Sequence, residues 1–143
     1  MRAFERAFNA RDVDGLLACF AADATYRDNF YGEHQGADLR GMFDRMFREG
    51  KDYRWTMDVV VESGERAAAE WTFGYVVTGA VPRSAGRAIH FRGMSVFELR
   101  GGLIARYREY FDVGSALLQL GFADGAVAKV LRRRLEASSA DAR

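Results

Sequence analysis

Cysteine, proline and histidine are all scarce in this 143-residue chain, which has one Cys, one Pro and two His. A lone Cys19 excludes an intrachain disulfide and any metal site built on several cysteines. In its apolar helical setting (LLACFA) it reads as a small buried hydrophobe. His34 and His90 belong to no spaced group of ligands, so no protein-bound metal is expected. Neither sign of charge is in excess: 21 Lys+Arg against 20 Asp+Glu give a formal net charge of +1. That supplies no field for nucleic acid or an acidic membrane surface. The chain also lacks a leader pattern and any apolar run near the ~18 residues of a membrane span. A cytoplasmic protein with neither a nucleic-acid nor a membrane partner is the expectation. Phosphate-binding glycine loops are missing as well, because the Gly pairs fall in hairpins rather than between a strand and a helix.

Aromatic residues, in contrast, are plentiful, at 13% with eleven Phe. Something apolar and fairly large is being filled or lined. The length suits one domain over residues 1–143, with a core from about 4 to 121 and a polar tail (ASSADAR) expected to fray.

The first half has helical spacing. Phe4 and Phe8 are four apart in Arg2–Asn9. Asp12 is placed to cap a second helix carrying Leu16, Leu17 and Phe20. A short strand over Ala24–Phe30 and a loop at Gly32–Gly36 follow. A helix from about Asp38 to Arg48 then puts Leu39, Met42, Phe43, Met46 and Phe47 on one face, and Gly50 stops it.

Beyond Gly50 the period falls to 2. The inward sets are Trp55, Met57, Val59 and Val61; Ala69, Trp71, Phe73, Tyr75 and Val77; Ile89, Phe91, Gly93, Ser95, Phe97 and Leu99; and Leu103, Ala105, Tyr107, Glu109 and Phe111. Asp112 should cap a terminal helix beginning at Val113. Helices over one face of a curved, mostly antiparallel sheet make an α+β fold. The outward face keeps Val60, Val76, Met94, Val96 and Tyr110, an apolar patch that favours a homodimer.

Two acids fall on inward faces. Glu109 travels with Tyr107 and Phe111, and Asp28 with Ala24, Tyr26 and Phe30. A carboxylate taken out of water finds a partner or rises in pKa, and the second outcome suits general acid/base work. The plain alternative is a buried ion pair or a hydrogen-bonded structural acid, for instance with Arg40 or Arg45. In the functional reading, Asp28 and Glu109 face an apolar pocket with Tyr26 beside them. Trp71, Phe73, Tyr75, Phe91, Tyr107, Phe43 and Phe4 supply its walls, and the small Gly93 and Ser95 leave room. His34 is a possible rim residue, His90 faces solvent or a subunit contact, and Arg132–Arg134 reads as a solvated face.

The order helix, helix, short strand, helix and four long strands, with FNARDVDGLLACFAADATYRD near the start and GGLIARYREYFD near the end, resembles the nuclear transport factor 2-like superfamily. Within it the chain is most similar to the SnoaL-like branch of polyketide cyclases, ketosteroid isomerases and limonene-epoxide hydrolases. The resemblance covers roughly Phe4–Gly121 and implies a cone-shaped sheet wrapped around the N-terminal helices, working without a cofactor.

Set against limonene-epoxide hydrolases, Tyr26, Asp28 and Glu109 match the residues that hold the attacking water, while Trp71 and Phe73 replace an Arg and the proton-donating Asp. In the comparison with ketosteroid isomerases, Asp28 matches the general base, Phe4 replaces the oxyanion Tyr, and Ser95 falls near the oxyanion Asp. The resemblance thus implies an acid/base cyclase or isomerase acting on an apolar cyclic, polyketide- or terpenoid-like molecule. An epoxide hydrolase and a non-catalytic binding or assembly module are its alternatives.

Overall fold

The computed structural model describes residues 1–141. Two short helices, α1 (Arg2–Asn9) and α2 (Val13–Leu17), precede strand β1 (Phe20–Asp28). A short β2 (Gly32–Gln35) leads to helix α3 (Asp38–Glu49). Four strands follow: β3 (Gly50–Ser63), β4 (Arg66–Val77), β5 (Ala88–Arg100) and β6 (Leu103–Phe111). Helices α4 (Val113–Gln119) and α5 (Asp124–Asp141) close the chain. The six strands form one sheet in the order β2-β1-β6-β5-β4-β3. Every neighbouring pair is antiparallel except β1 with β6. This is the α+β arrangement that the sequence pattern implied, with the element order that carried the resemblance.

The concave face is closed by two helices whose apolar residues recur at helical spacing. Helix α1 buries Phe4 and Phe8, and α3 buries Leu39, Met42, Phe43, Met46 and Phe47. A smaller cluster of Val113, Leu117 and Val127 joins α4 to α5 and packs on Phe30 and Phe111. Both expected caps form: the Asp12 carboxylate accepts the Gly15 N–H at 2.9 Å, and that of Asp112 accepts the Ser115 N–H at 3.1 Å.

Bulges curve the sheet and correct the simple alternation. Met57 pairs with Trp71 but Val59 with Glu70, so Asp58 is the extra residue. Beyond it the faces exchange: Val59 and Val61 are exposed, while Val60, expected outside, packs against the core. A second shift, between the pairs Glu98–Arg106 and Leu99–Ile104, turns Ile104 inward and Leu103 outward. A one-residue insertion reverses every side chain beyond it, which alternation cannot foresee.

Other expectations also change. Phe20 opens β1 instead of closing the second helix, and β1 ends at Asp28, before Phe30. Residues 32–35, expected as loop, pair with β1 as a strand. Cys19 sits partly exposed in the turn before β1, where its thiol donates to the Gly15 carbonyl at 3.4 Å. Helix α5 continues to Asp141 through most of the segment expected to fray, and the last two residues lie outside those described. Arg134 is not simply solvated, because its guanidinium donates to the Asn29 carbonyl.

Candidate active site

The parallel β1–β6 pairing brings the two inward acids to one end of the cone. It sets Tyr26 beside Tyr107, with their rings stacked at 4.4 Å between centroids and 11° between planes. Two residues further along each strand stand Asp28 and Glu109, still on the inward face.

Both acids line one cavity. Tyr26 and Tyr107 form its floor, and the turn after β1 adds Phe30 and Tyr31. Strand β3 contributes Tyr53 and Trp55; β4 contributes Trp71, Phe73 and Tyr75; and β5 contributes Phe91. Phe8 and Met46 reach in from the helices, and among the described residues no Arg, Lys or His lines the space. The cavity's empty volume is about 490 Å³ with open solvent at its mouth included.

Asp28 is 6% exposed, and its Oδ1 accepts the backbone N–H groups of Phe30 at 2.6 Å and Tyr31 at 2.5 Å. These bonds fold the chain back after β1 and fix the carboxyl. The ring Nε2 of His34 donates to the Tyr31 carbonyl at 2.9 Å, so His34 braces this turn from outside and does not line the cavity.

Glu109 ends a chain of hydrogen bonds. The Trp71 indole Nε1 donates to Ser95 Oγ at 2.8 Å, Ser95 Oγ lies 2.8 Å from Tyr107 Oη, and Tyr107 donates to Glu109 Oε2 at 2.6 Å. The proposed ion-pair partners point elsewhere: Arg40 pairs with Asp14 and Arg45 with Glu49. Among the described residues no arginine or lysine forms a salt bridge with Asp28 or Glu109.

The electrostatics follow from that isolation. The Glu109 carboxyl is pushed up to about 8; burial is the main cause, the Asp28 charge adds to it, and the Tyr107 hydrogen bond opposes both. Burial raises Asp28 too, against the pull of the Tyr31 and Phe30 N–H groups and of a charge on His34. Tyr26 and Tyr107 are held far above the ordinary tyrosine range, first by burial and then by the Glu109 charge. Near neutral pH, Glu109 thus keeps its proton and both tyrosines remain donors.

Of the expected site residues, Asp28, Glu109, Tyr26, Trp71, Phe73, Tyr75, Phe91 and Tyr107 share the cavity. Phe4, Phe43 and Ser95 do not line it. Phe4 and Phe43 pack in the core behind the tyrosines, and Ser95 is fully buried between Trp71 and Tyr107. Nor does Gly93 leave open room, because a Cβ there would lie 2.4 Å from the Trp71 ring.

Sequence reasoning did not place Phe8, Phe30, Tyr31, Met46, Tyr53 or Trp55 at the site. Tyr53 shares an alternating face with Trp55, a usable signal, whereas Tyr31 follows the strand end and has none. Tyr31 donates to Glu49 Oε2 at 3.0 Å, tying the site's turn to the end of α3.

The fold and site define a small α+β cone with a buried acidic pocket. A SnoaL-like domain model matches residues 1–107, and the chain belongs to that family. Its structure is similar to a candidate polyketide cyclase from Pseudomonas putida KT2440, with 27% identity, TM-score 0.71, and 82% of this chain and 92% of that one covered. It is also similar to an LEH-like epoxide hydrolase from M. tuberculosis, with 23% identity, TM-score 0.69 and 92% of each chain covered. A ketosteroid isomerase-like fold from Catenulispora acidiphila DSM 44928, in complex with trimethylamine, matches at 22% identity and TM-score 0.74, covering 85% and 92%. The last two likenesses speak for the fold alone. No curated protein matches the chain significantly.

Proposed function

We propose that the cavity is the active site of a cofactor-independent acid/base enzyme, a cyclase or isomerase acting on an apolar cyclic, polyketide- or terpenoid-like molecule. One observation carries this reading: two buried carboxyls that form no salt bridge among the described residues line the same aromatic cavity, and burial raises the pKa of both. Asp28 as carboxylate takes a proton from a carbon next to a substrate carbonyl. Glu109 gives its proton to the carbonyl oxygen, and Tyr26 orients the substrate. In an isomerisation the enol collapses by the reverse transfers at another carbon. In a cyclisation the enol carbon bonds to a second carbonyl carbon; the enol O–H returns its proton to Glu109 as the first carbonyl re-forms, and Asp28 gives its proton to the new alkoxide oxygen. Either course leaves Asp28 a carboxylate and Glu109 protonated, as they began.

The likeness to a candidate cyclase supports the reading, as does the lack of a charged group that would hold an anionic substrate. The test is exchange of the α-proton of a cyclic β-keto ester in deuterated water. Asp28→Asn and Glu109→Gln should each slow it by about 10²–10⁴-fold. Unchanged rates in both variants would remove the assignment.

An epoxide hydrolase is the second reading, favoured by Tyr26, Asp28 and Glu109 lining one cavity. Trp71 and Phe73, however, put aromatic rings where that chemistry needs its acid. Labelled oxygen passing from water into a diol would support it, and a cyclase or isomerase incorporates none.

The enzyme in this reading is a cytoplasmic homodimer. Met94 and Tyr110, paired across β5 and β6, are 48% and 56% exposed on the outer face and would form the contact. A concentration-independent monomer in light scattering removes the dimer.

A further inference from the structure

The hydrogen bonds behind Glu109 have a direction that the acid/base reading does not use. Tyr107 has one hydrogen, and it goes to Glu109 Oε2. The bond between Ser95 and Tyr107 must then be donated by Ser95. Ser95 in turn accepts from the Trp71 indole, which can only donate. Reversing the chain would leave the Ser95 hydrogen with no acceptor, because its one other partner among the described residues is that indole. Ser95 has 0% exposure, so water cannot supply the acceptor. A buried hydroxyl without an acceptor is disfavoured, so Ser95 donates to Tyr107; the Tyr26 hydroxyl, which also meets Tyr107, leaves that direction unchanged when it donates to the same oxygen.

We propose that Trp71 and Ser95 are positioning residues that lock the Tyr107 hydrogen onto Glu109 Oε2, so that Glu109 carries its exchangeable proton on Oε1. This rests on the reading of Glu109 as the acid. Tyr107 is the link through which Trp71 and Ser95 act. Each donor in the chain strengthens the next, so the three together stabilise the Glu109 carboxylate more than Tyr107 does alone. The lock also explains why a serine stands in the middle of an apolar strand face. A two-way hydroxyl is needed there to pass the indole's polarity to the phenol.

The test uses NMR of the ligand-free protein, whose two tryptophans supply a built-in control. Trp71 Nε1–H is in the chain, whereas Trp55, which lines the same cavity, has a buried Nε1–H with no hydrogen-bond partner among the described residues. As Glu109 titrates, the Trp71 indole proton should shift with the same midpoint and clearly further than that of Trp55. Ser95→Ala should raise the Glu109 midpoint by about half a unit or more, and Ser95→Thr, which keeps the hydroxyl, should restore it.

Equal movement of the two indoles in the wild-type protein, which needs no folded variant, overturns the proposal. So does a Ser95→Ala midpoint equal to the wild type. Either result leaves Glu109 titrating near 8 and the acid/base reading intact. A wild-type Glu109 midpoint in the ordinary carboxyl range is the different failure, that of the acid itself.

Discussion

Gly93 stands opposite Trp71 across the β4–β5 pairing, and the Trp71 indole lies in the space that a side chain at Gly93 would occupy. A Cβ there would meet the ring at 2.4 and 2.5 Å and the Tyr110 carbonyl at 2.6 Å. The absent side chain admits the indole, which can then reach Ser95. Gly93→Ala is therefore expected to destabilise the fold by about 1–3 kcal/mol through overpacking. It should also move the Trp71 indole resonance away from its wild-type position. Chemical denaturation and the indole spectrum check the two parts together.

Asp28 holds the turn after β1 as well as facing the cavity. Asn keeps an oxygen for the Phe30 and Tyr31 N–H groups, and Ala does not. Asp28→Asn should thus slow proton abstraction by about 10²–10⁴-fold while costing little stability. Asp28→Ala should lose about 1–3 kcal/mol in addition, because it strands two backbone donors. Thermal melts of the two variants, run beside the exchange assay, separate the roles.

Glu109 makes stability fall as pH rises. Unfolded, it ionises near the ordinary value of 4.5; folded, it keeps its proton until about 8. Glu109 binds more protons in the folded state between those values, so its contribution to stability is greatest below about 4.5, declines across the window and levels off above about 8. Glu109→Gln removes the ionisable group and should flatten this decline. At pH ~9 it should exceed the wild type by an amount on the order of a few kcal/mol. Urea titrations at several pH values give the comparison.

Turnover should follow a bell. The acid limb reports ionisation of Asp28, whose midpoint lies above the ordinary carboxyl value, and the alkaline limb reports loss of the Glu109 proton near 8. Because each charge affects the other, the limbs belong to the pair rather than to single residues. Tyr107→Phe removes the bond that favours Glu109 ionisation and should push the alkaline limb upward. A pH series of exchange rates decides this.

Much of this arrangement was legible in the chain. Period-2 alternation puts Tyr26 with Asp28 and Tyr107 with Glu109 on inward faces, and helical spacing puts the α1 and α3 apolar residues in the core. Alternation fixes faces but carries no distances or partners. It could not show that β1 joins β6 in parallel, which brings the two faces together. Bulges at Asp58 and Ala105 break its count without a local sequence signature, so Val60 and Ile104 surprise. Ser95 and Gly93 looked like vacancies because a small residue signals space without saying what fills it. Here Trp71 fills one and bonds the other.

Glu109 enters neutral pH as an acid beside a second carboxyl, and among the described residues neither forms a salt bridge. Carbon-13 titration of the Glu109 side-chain carboxyl, assigned by its loss in Glu109→Gln, measures this most directly. The account predicts a midpoint near 8 that falls in Asp28→Asn, where the neighbouring charge is gone. A midpoint near the ordinary 4.5, unmoved by Asp28→Asn, would contradict it.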